Sequence, residues 1–190
     1  GAAENSLDFH KAIATLSCND FLPSKKFGWT TISLAHLQEE SKNYIYPEDK
    51  KKLCSLVDKI DKMVFKKIQE LLSKGKVPLV LGGGHNNAYP LLKALSDTKK
   101  NKVHALNLDL HPDCRELEGR HSGNSFSYAK ENKILEKYAV LGLQELTTNV
   151  KSLDHFKTDS NWIYLPFESW GVYGSCSFDQ SLNIALNHVC

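Results

Sequence analysis

Two carboxylates and an imidazole alternate along one short stretch, Asp109-Leu110-His111-Pro112-Asp113, directly after an apolar run. In an extended backbone, side chains two residues apart project from the same face. Acids and an imidazole that converge on one point are costly to desolvate unless a cation lies between them. The stretch therefore predicts a divalent-metal site with Asp109, His111 and Asp113 as ligands.

A further candidate ligand, His85, follows three glycines, Gly82 to Gly84, at the end of another apolar run. Carboxylate oxygens and imidazole nitrogens suit Mn²⁺, Mg²⁺, Fe²⁺ or Zn²⁺, and the lack of cysteine ligands disfavours structural zinc. Cys114 adjoins the motif, but continued extension would point its thiol away from Asp113. A bridged pair of such ions, about 3.5–4 Å apart, generates hydroxide at neutral pH and polarises the bond under attack. The predicted chemistry is metal-assisted hydrolysis.

The elements that must position these residues alternate along the chain. A proline and two acids from Pro47 open a long helix, and Lys74-Gly75 is a plausible end for it. Its predicted apolar face consists of Leu53, Val57, Ile60, Val64, Ile68, Leu71 and Leu72. Apolar runs at Val77–Leu81 and Val103–Leu108 predict buried parallel strands, with a helix through Tyr89–Leu95 between them.

The remaining pattern predicts more helices and strands. They are helices at Ser6–Leu16, Ser125–Lys137 and Thr148–His155, strands at Trp29–Leu34, Tyr138–Leu143 and Trp162–Leu165, and a last helix opened by a Ser177-x-x-Gln180 capping box. This alternation predicts an α/β fold with a doubly wound parallel sheet and helices on both faces. Such sheets bind ligands beyond the carboxyl ends of their strands, so we expect His85 and Asp109 to meet there.

The composition is that of an ordinary soluble protein, with 41% hydrophobic and 24% charged residues. A net charge of +2 gives no argument for a nucleic-acid partner. We expect no membrane partner, because no apolar run approaches the length of a membrane span and the start does not resemble a signal peptide. The five scattered cysteines lack a C-x-x-C pair, which disfavours a disulfide framework and favours a reducing, cytoplasmic location.

Two other interpretations of the motifs stay open at this point. A strand, a glycine cluster and a later acid outline a dinucleotide-binding unit, although asparagine stands where its third glycine should be and His111 and Asp113 are left unexplained. Alternatively, the histidines and acids are structural, each satisfied by hydrogen bonds. That is the interpretation we favour for the histidines outside the motifs, which are His10, His36, His104, His155 and His188.

Three segments resemble the ureohydrolases, the superfamily that contains arginase, agmatinase and formimidoylglutamase. They are Gly82-Gly83-Gly84-His85-Asn86-Asn87-Ala88-Tyr89-Pro90, Asp109-x-His111-x-Asp113, and Glu118-Gly119-Arg120-His121-Ser122-Gly123-Asn124-Ser125-Phe126-Ser127-Tyr128-Ala129. The match is clear over Lys76–Leu143, and its first and third segments are most similar to formimidoylglutamase-like members. The resemblance implies an arginase-like three-layer sandwich with two Mn²⁺ ions.

The resemblance also implies roles for single residues. His85 and Asp113 would bind one Mn²⁺, His111 would bind the other, and Asp109 would bridge them. Asp113 would also accept a hydrogen bond from the bridging hydroxide.

In the same way, the loop Arg120–Asn124 would face the substrate, with Asn124 as a contact. His121 would carry a proton, and Arg120 or Arg115 would pair with a substrate carboxylate.

One family feature is missing from the sequence. The family completes its metal site with a later D-x-D pair and a substrate-binding glutamate, and neither follows Asp113. Ser177-Phe178-Asp179-Gln180-Ser181 is similar only superficially, since serine occupies the second acid position. We therefore expect residues 1–190 to be a single ureohydrolase-like domain that lacks amino- and carboxyl-terminal portions, with weakened binding of the second metal.

The favoured hypothesis is manganese-dependent hydrolysis of a C–N bond in a small linear amidine or guanidine. N-formimidoyl-glutamate, a compound of histidine metabolism that would yield glutamate and formamide, is the preferred substrate, and an arginase- or agmatinase-type substrate is the third choice. The alternative is a catalytically inactive, metal-poor binding or scaffold protein derived from the same fold. Either hypothesis is compatible with a homo-oligomer.

Overall fold

The structure is a computed structural model that describes residue 28 and residues 30–190. The predicted helix Ser6–Leu16 lies outside the described residues, as does Trp29, where a strand was predicted to begin. The described residues 30–34 form no strand, so that prediction is wrong for them.

Helices and strands alternate through the rest of the described part. The helices are α1 (Ala35–Ser41), α2 (Lys50–Ser73), α3 (Ala88–Lys99), α4 (Ser125–Glu131), α5 (Asp154–Thr158), α6 (Phe167–Gly171) and α7 (Phe178–Val189). The strands are β1 (Val103–Leu108), β2 (Leu135–Leu143) and β3 (Trp162–Pro166). None of these helices is long and apolar enough to cross a membrane.

The three strands form a parallel sheet in the order β1-β2-β3, as the alternation predicted. In its register Leu106 lies opposite Ala139, and Val140 lies opposite Tyr164. Each crossover between parallel neighbours contains a helix, α4 between β1 and β2 and α5 between β2 and β3. The carboxyl ends of all three strands therefore lie at one edge of the sheet.

Helices cover both faces of the sheet, which confirms the predicted fold class. On one face, Tyr138 and Val140 of β2 pack in a buried cluster with Phe126 of α4 and with partly buried side chains of α3 and α5. Ala139 and Leu141 alternate with them and are also buried, so they belong to the opposite face. Helix α7, which contacts all three strands, covers that face.

A second buried cluster joins α2 to α3 beside the sheet. Val64 and Ile68 of α2 pack against Ala94 of α3, with Leu91 and Val80 at the margin. The predicted apolar face of α2 is confirmed at Val64 and Ile68, which are buried, and at Ile60 and Leu72, which pack against them. The helix also buries Leu56 and Asp61, which were not predicted. An acid therefore lies on the apolar face of this helix.

The predicted strand Val77–Leu81 is not present. The segment is irregular and pairs with no described strand, and its side chains Val77 and Leu79 are 95% and 77% exposed. Apolar composition indicated a buried strand, but a strand also needs a neighbour for its backbone, and β1 pairs only with β2.

Two predicted helices end elsewhere than expected. The helix predicted to reach Lys137 stops at Glu131, because Lys133 adopts a left-handed conformation (φ +57°) that turns the chain into β2. The helix predicted at Thr148–His155 divides into a 3₁₀ turn at Val150–Leu153 followed by α5.

The capping box that opens α7 is confirmed. The hydroxyl of Ser177 accepts a hydrogen bond from the backbone N–H of Gln180 (3.1 Å), and the Gln180 side chain accepts one from the N–H of Ser177 (2.7 Å). Ser181 is buried against the sheet side of the helix. The stretch that superficially resembles a metal motif is thus a helix start.

Candidate metal centre

The glycine loop turns the chain so that His85 can enter the site. Gly83 has a positive φ of +75°, and a Cβ there would lie 2.8 Å from the side-chain nitrogen of Asn87. That nitrogen donates a hydrogen bond to the carbonyl of Gly82, which closes the loop (3.1 Å). His85 then begins a 3₁₀ turn that leads directly into α3. Its carbonyl accepts a hydrogen bond from the Ser125 hydroxyl at the start of α4 (3.0 Å).

The two acids of the motif follow the carboxyl end of β1. Asp109 is the first residue after the strand, and Asp113 lies four residues on with a left-handed backbone (φ +46°). Aspartate tolerates this conformation better than most residues that carry a Cβ. The side chains of Asp109 and Asp113 are 25% and 11% exposed, so the site is partly open to solvent.

His85 and the two acids converge on one point. The Nδ1 atom of His85 lies 3.1 Å from Oδ2 of Asp109 and 2.6 Å from Oδ2 of Asp113. Candidate ligand atoms of all three residues lie within 4.8 Å of one another. The structure thus brings together three of the four predicted ligands, and they could hold a metal ion.

The electrostatics of this cluster favour a positive charge at its centre. The hydrogen bond to Asp113 raises the pKa of His85, and the charge of Asp109 adds to that effect against the opposing effect of burial. A protonated imidazole between two carboxylates balances their charge in the way a cation would. The donor set of one nitrogen and several oxygens also fits the hard or borderline divalent metals predicted from the sequence.

His111, the fourth predicted ligand, lies beside this group and not within it. Its Nδ1 atom is 3.9 Å from Oδ1 of Asp109, and its side chain is 52% exposed. The same carboxylate oxygen accepts a hydrogen bond from the backbone N–H of His111 (2.9 Å). The two oxygens of Asp109 therefore face different imidazoles, one toward His85 and the other toward His111.

Arg120, predicted as a substrate contact, is buried instead. Its Nε atom donates to Oδ2 of Asp61 (2.8 Å), and its Nη2 atom donates to the carbonyl of Asn86 (3.1 Å). The guanidinium lies between the rings of Tyr89 and Tyr128, 4.8 and 5.0 Å from their centroids. At 3% exposure it cannot reach a substrate, so the prediction of substrate binding is corrected to a structural role.

Asn124 is likewise committed to the protein interior. Its side-chain oxygen accepts hydrogen bonds from Arg120 and from the N–H of His121, and its nitrogen donates to the carbonyls of Glu116 and Gly119. All of its hydrogen-bonding groups are used and it is fully buried. This arrangement does not support the predicted substrate contact through Asn124.

His121 and Arg115 are held by one carboxylate at the edge of the same loop. Oε1 of Glu118 lies 3.2 Å from Nε2 of His121 and accepts a hydrogen bond from Arg115 (3.0 Å), while its other oxygen pairs with Lys50. The Nδ1 atom of His121 accepts from the N–H of Gly123, which assigns the ring proton to Nε2. Burial lowers the pKa of His121, and the Arg115 charge adds to this. Of the predicted substrate residues, Arg115 has an exposed side chain.

Asp61 was not among the predicted site residues, and it lies beneath the site in the structure. Its Oδ1 atom accepts a hydrogen bond from Asn86, the neighbour of His85, at 3.1 Å, and its Oδ2 atom accepts the bond from Arg120. One signal was present, because Asp61 precedes Val64 by three residues and Ile68 by seven, which places it on the same face of a helix. An acid in line with the apolar stripe of a helix indicates a buried partner.

A model of the Arginase family matches residues 24–165, about three quarters of the chain. The chain belongs to the arginase family. The dinucleotide-binding alternative is therefore set aside, and the resemblance to ureohydrolases is confirmed.

Curated members of the arginase family align with part of this chain. "Arginase 2, chloroplastic/mitochondrial" of Arabidopsis thaliana is 34% identical over 73 residues, which cover 38% of this chain and 20% of the relative. Formimidoylglutamase of Chromobacterium violaceum is 32% identical over 93 residues, which cover 46% of this chain and 29% of the relative.

Solved structures of the arginase family share the fold. Formimidoylglutamase of Bacillus subtilis superimposes with a TM-score of 0.59 at 24% identity, over 70% of this chain and 43% of that one. Formiminoglutamase of Trypanosoma cruzi, solved with Mn²⁺, superimposes with a TM-score of 0.59 at 20% identity, over 70% and 45%. The chain spans less than half the length of each of these relatives.

Proposed function

We propose that the protein is a manganese-dependent hydrolase that cleaves a C–N bond of a small linear amidine or guanidine. The observation that carries this proposal is the convergence of His85, Asp109 and Asp113 within 4.8 Å at the carboxyl end of β1. Membership of the arginase family supports it. N-formimidoyl-glutamate is the favoured substrate, with glutamate and formamide as products.

The residues present fit the proposed metal. His85, Asp113 and one oxygen of Asp109 would hold one ion, and the other oxygen of Asp109 with His111 would take part in holding a second. The opposite orientation of the two Asp109 oxygens supports a bridging role for this carboxylate. A bound pair of ions would lower the pKa of a water molecule and polarise the C–N centre.

Protein groups would then bind and orient the substrate. Asp113 would accept a hydrogen bond from the attacking water, since its side chain points into the cluster. Arg115 would pair with a substrate carboxylate, because its exposed guanidinium uses one nitrogen on Glu118 and keeps others free for a planar anion. Protonated His121 would donate its Nε2 proton toward the departing amine; in this structure the Nε2–H group faces Oε1 of Glu118 at 3.2 Å.

The choice of substrate rests on the third motif segment and on the relatives. A relative named arginase and one named formimidoylglutamase have nearly the same sequence identity to this chain, 34% and 32%. Arginine or agmatine is therefore the next substrate class to assay. We place the reaction in the cytoplasm, because the scattered cysteines favour a reducing compartment; Cys54, Cys114, Cys176 and Cys190 of the described part are free thiols.

A second candidate function is a metal-poor binding or scaffold protein. Among the described residues, His85, Asp109 and Asp113 are the one group of three metal-ligating side chains. Among the described residues, the second proposed metal position has only His111 and one oxygen of Asp109. This shortage of ligands would favour loss of the second ion.

Metal analysis separates the two functions. After dialysis against manganese, the enzyme hypothesis expects bound Mn²⁺ in the full chain, and formamide release from N-formimidoyl-glutamate or urea release from arginine or agmatine. Asp109→Ala should lower the bound metal most, His111→Ala should lower it less, and His36→Ala, an exposed residue of α1, is the matched control. An unloaded wild type favours the scaffold. A loaded wild type with equally loaded Asp109→Ala and His111→Ala variants would refute the ligand assignment.

A further inference from the structure

Two buried polar side chains of the sheet support the loop that carries the candidate ligands. Tyr138 of β2 is fully buried, and Asn107 of β1 is 6% exposed. The Tyr138 hydroxyl donates to the carbonyl of Pro112 (2.9 Å) and accepts from the Asn107 side chain (3.1 Å). The same Asn107 nitrogen lies 3.4 Å from the carbonyl of His111. Together they bind two consecutive carbonyls between the candidate ligands Asp109 and Asp113.

This contact bears on the unusual backbone of Asp113. Its left-handed φ of +46° is unfavourable for a residue with a Cβ, so the surroundings must hold it. The peptide before Asp113 is held by the Tyr138 bond to Pro112, and the carbonyl after it accepts from the N–H of Phe126 (3.3 Å). Both peptides that flank Asp113 are therefore held, and Oδ2 of its carboxylate lies 2.6 Å from Nδ1 of His85.

The Tyr138 ring also connects to the histidine side of the cluster. It stacks on Phe126 with ring centroids 4.2 Å apart. Phe126 in turn packs against the His85 ring in a T-shaped arrangement, with ring centroids 5.8 Å apart. One side chain thus contacts both the loop of the acids and the ring that packs against the imidazole.

We propose that Tyr138, assisted by Asn107, is a positioning residue of the metal centre that sets the direction of the Asp113 carboxylate. This inference rests on the proposed function, since it needs a metal site to position. Tyr138 would touch neither metal nor substrate. Hydrogen-bond partners outside the ligand sphere commonly change metal affinity by about 10–100-fold, and we expect about 10-fold here.

The test compares three variants of the full chain with wild type. Tyr138→Phe keeps the stacked ring and removes the hydroxyl. Tyr164→Phe, on the neighbouring strand with a side chain 36% exposed, is the matched control. The double variant Asn107→Leu/Tyr138→Phe removes the unpaired amide as well, so it should recover part of any stability that Tyr138→Phe loses, without restoring the donors to His111 and Pro112.

Three quantities are measured: the urea midpoint, the Mn²⁺ dissociation constant by calorimetry, and the visible absorption spectrum of the Co²⁺-loaded protein. We expect Tyr138→Phe and the double variant to bind Mn²⁺ about 10-fold more weakly, with an altered Co²⁺ spectrum, and Tyr164→Phe to match wild type. The spectrum reports ligand geometry, which a loss of stability alone would not change in the folded fraction.

Each of these results supports or overturns the positioning role of Tyr138. An unchanged dissociation constant and spectrum in Tyr138→Phe overturns the positioning role while the metal site stands. If the double variant recovers both metal binding and stability, the positioning role is also overturned, since the weaker metal binding of Tyr138→Phe would then result from its lower stability. Failure of the wild type itself to bind Mn²⁺ or Co²⁺ rejects the proposed function, and the positioning role with it.

Discussion

Replacing Asp61 by asparagine tests whether the buried ion pair beneath the site holds it together. Both oxygens of Asp61 accept hydrogen bonds, one from Asn86 and one from the Arg120 guanidinium. An amide has only one oxygen, so in either orientation its NH₂ group must face a donor. Asp61→Asn therefore removes one charge-assisted hydrogen bond and leaves the Arg120 charge without its counterion.

The size of the effect follows from burial. The side chains of Asp61 and Arg120 are 8% and 4% exposed, so water cannot replace the lost partner. Burial raises the pKa of Asp61 although the Arg120 charge opposes it, which indicates that desolvation of this pair is expensive. Breaking such a pair costs about 3–5 kcal/mol. Arg120 keeps its other acceptors and two aromatic rings, so we expect a loss of about 3 kcal/mol, or roughly 6–12 °C in Tm.

The assay is urea unfolding of Asp61→Asn beside an exposed control. Glu116 and Lys151 form an ion pair with side chains 69% and 74% exposed, and Glu116→Gln should cost less than about 1 kcal/mol. Asp61→Asn should also weaken Mn²⁺ binding, because Asn86 adjoins His85. If the two variants lose the same small free energy of unfolding, the buried pair does not support the loop and the reasoning fails.

Two further predictions concern the loop around Glu118. Gly119→Ala should lose about 1–3 kcal/mol more free energy of unfolding than Gly75→Ala. Both glycines have a positive φ, but of these two positions only 119 would bring the new Cβ against a side chain, at 2.8 Å from Cys54 Sγ. Equal losses in urea titrations would contradict this. Burial and the Arg115 charge lower the pKa of His121 in the folded protein, so the unfolded chain binds the proton more readily. The contribution of neutral His121 to stability is therefore fully present above the pKa of the unfolded state, and it is lost as the pH falls below that pKa. Relative to His121→Asn, which keeps an acceptor for the Gly123 N–H and does not titrate, wild type should lose stability as the pH falls from about 7.5 to about 5. Parallel pH curves of the two proteins would refute this.

The candidate metal ligands could be predicted because their signal is local. Asp109, His111 and Asp113 lie within five residues at the end of a strand, and β1 was predicted with its observed bounds. The rule that ligands gather at the carboxyl edge of a parallel sheet then connected them to His85, which is 24 residues away from Asp109 in the chain. The outward position of His111 was not predictable, since it depends on how the loop turns at Asp113.

The errors concern contacts that no local pattern encodes. Val77–Leu81 has the composition of a buried strand, but pairing depends on a neighbour that the run itself does not specify. Arg120 lies in a loop beside the proposed ligands, where an arginine commonly meets an anion. Its buried partner, Asp61, lies 59 residues earlier and became visible only when α2 was packed against the loop.

The buried hydrogen bonds around Arg120 limit what the longest motif indicates about the substrate. In the stretch Glu118–Ala129, Arg120 and Asn124 bind each other and nearby backbone, and Ser125 donates to the carbonyl of His85. Similarity over these residues therefore indicates a similarly built loop, because they would be needed whatever molecule bound above it. Specificity has to come from groups that reach solvent, and Arg115 is the one predicted substrate residue with an exposed head group. In the proposed reaction, substitutions at Arg115 should consequently change the preference among amidine and guanidine substrates. Substitutions of the buried residues around Arg120 should instead lower stability and metal binding, and so reduce the proposed activity on every substrate alike.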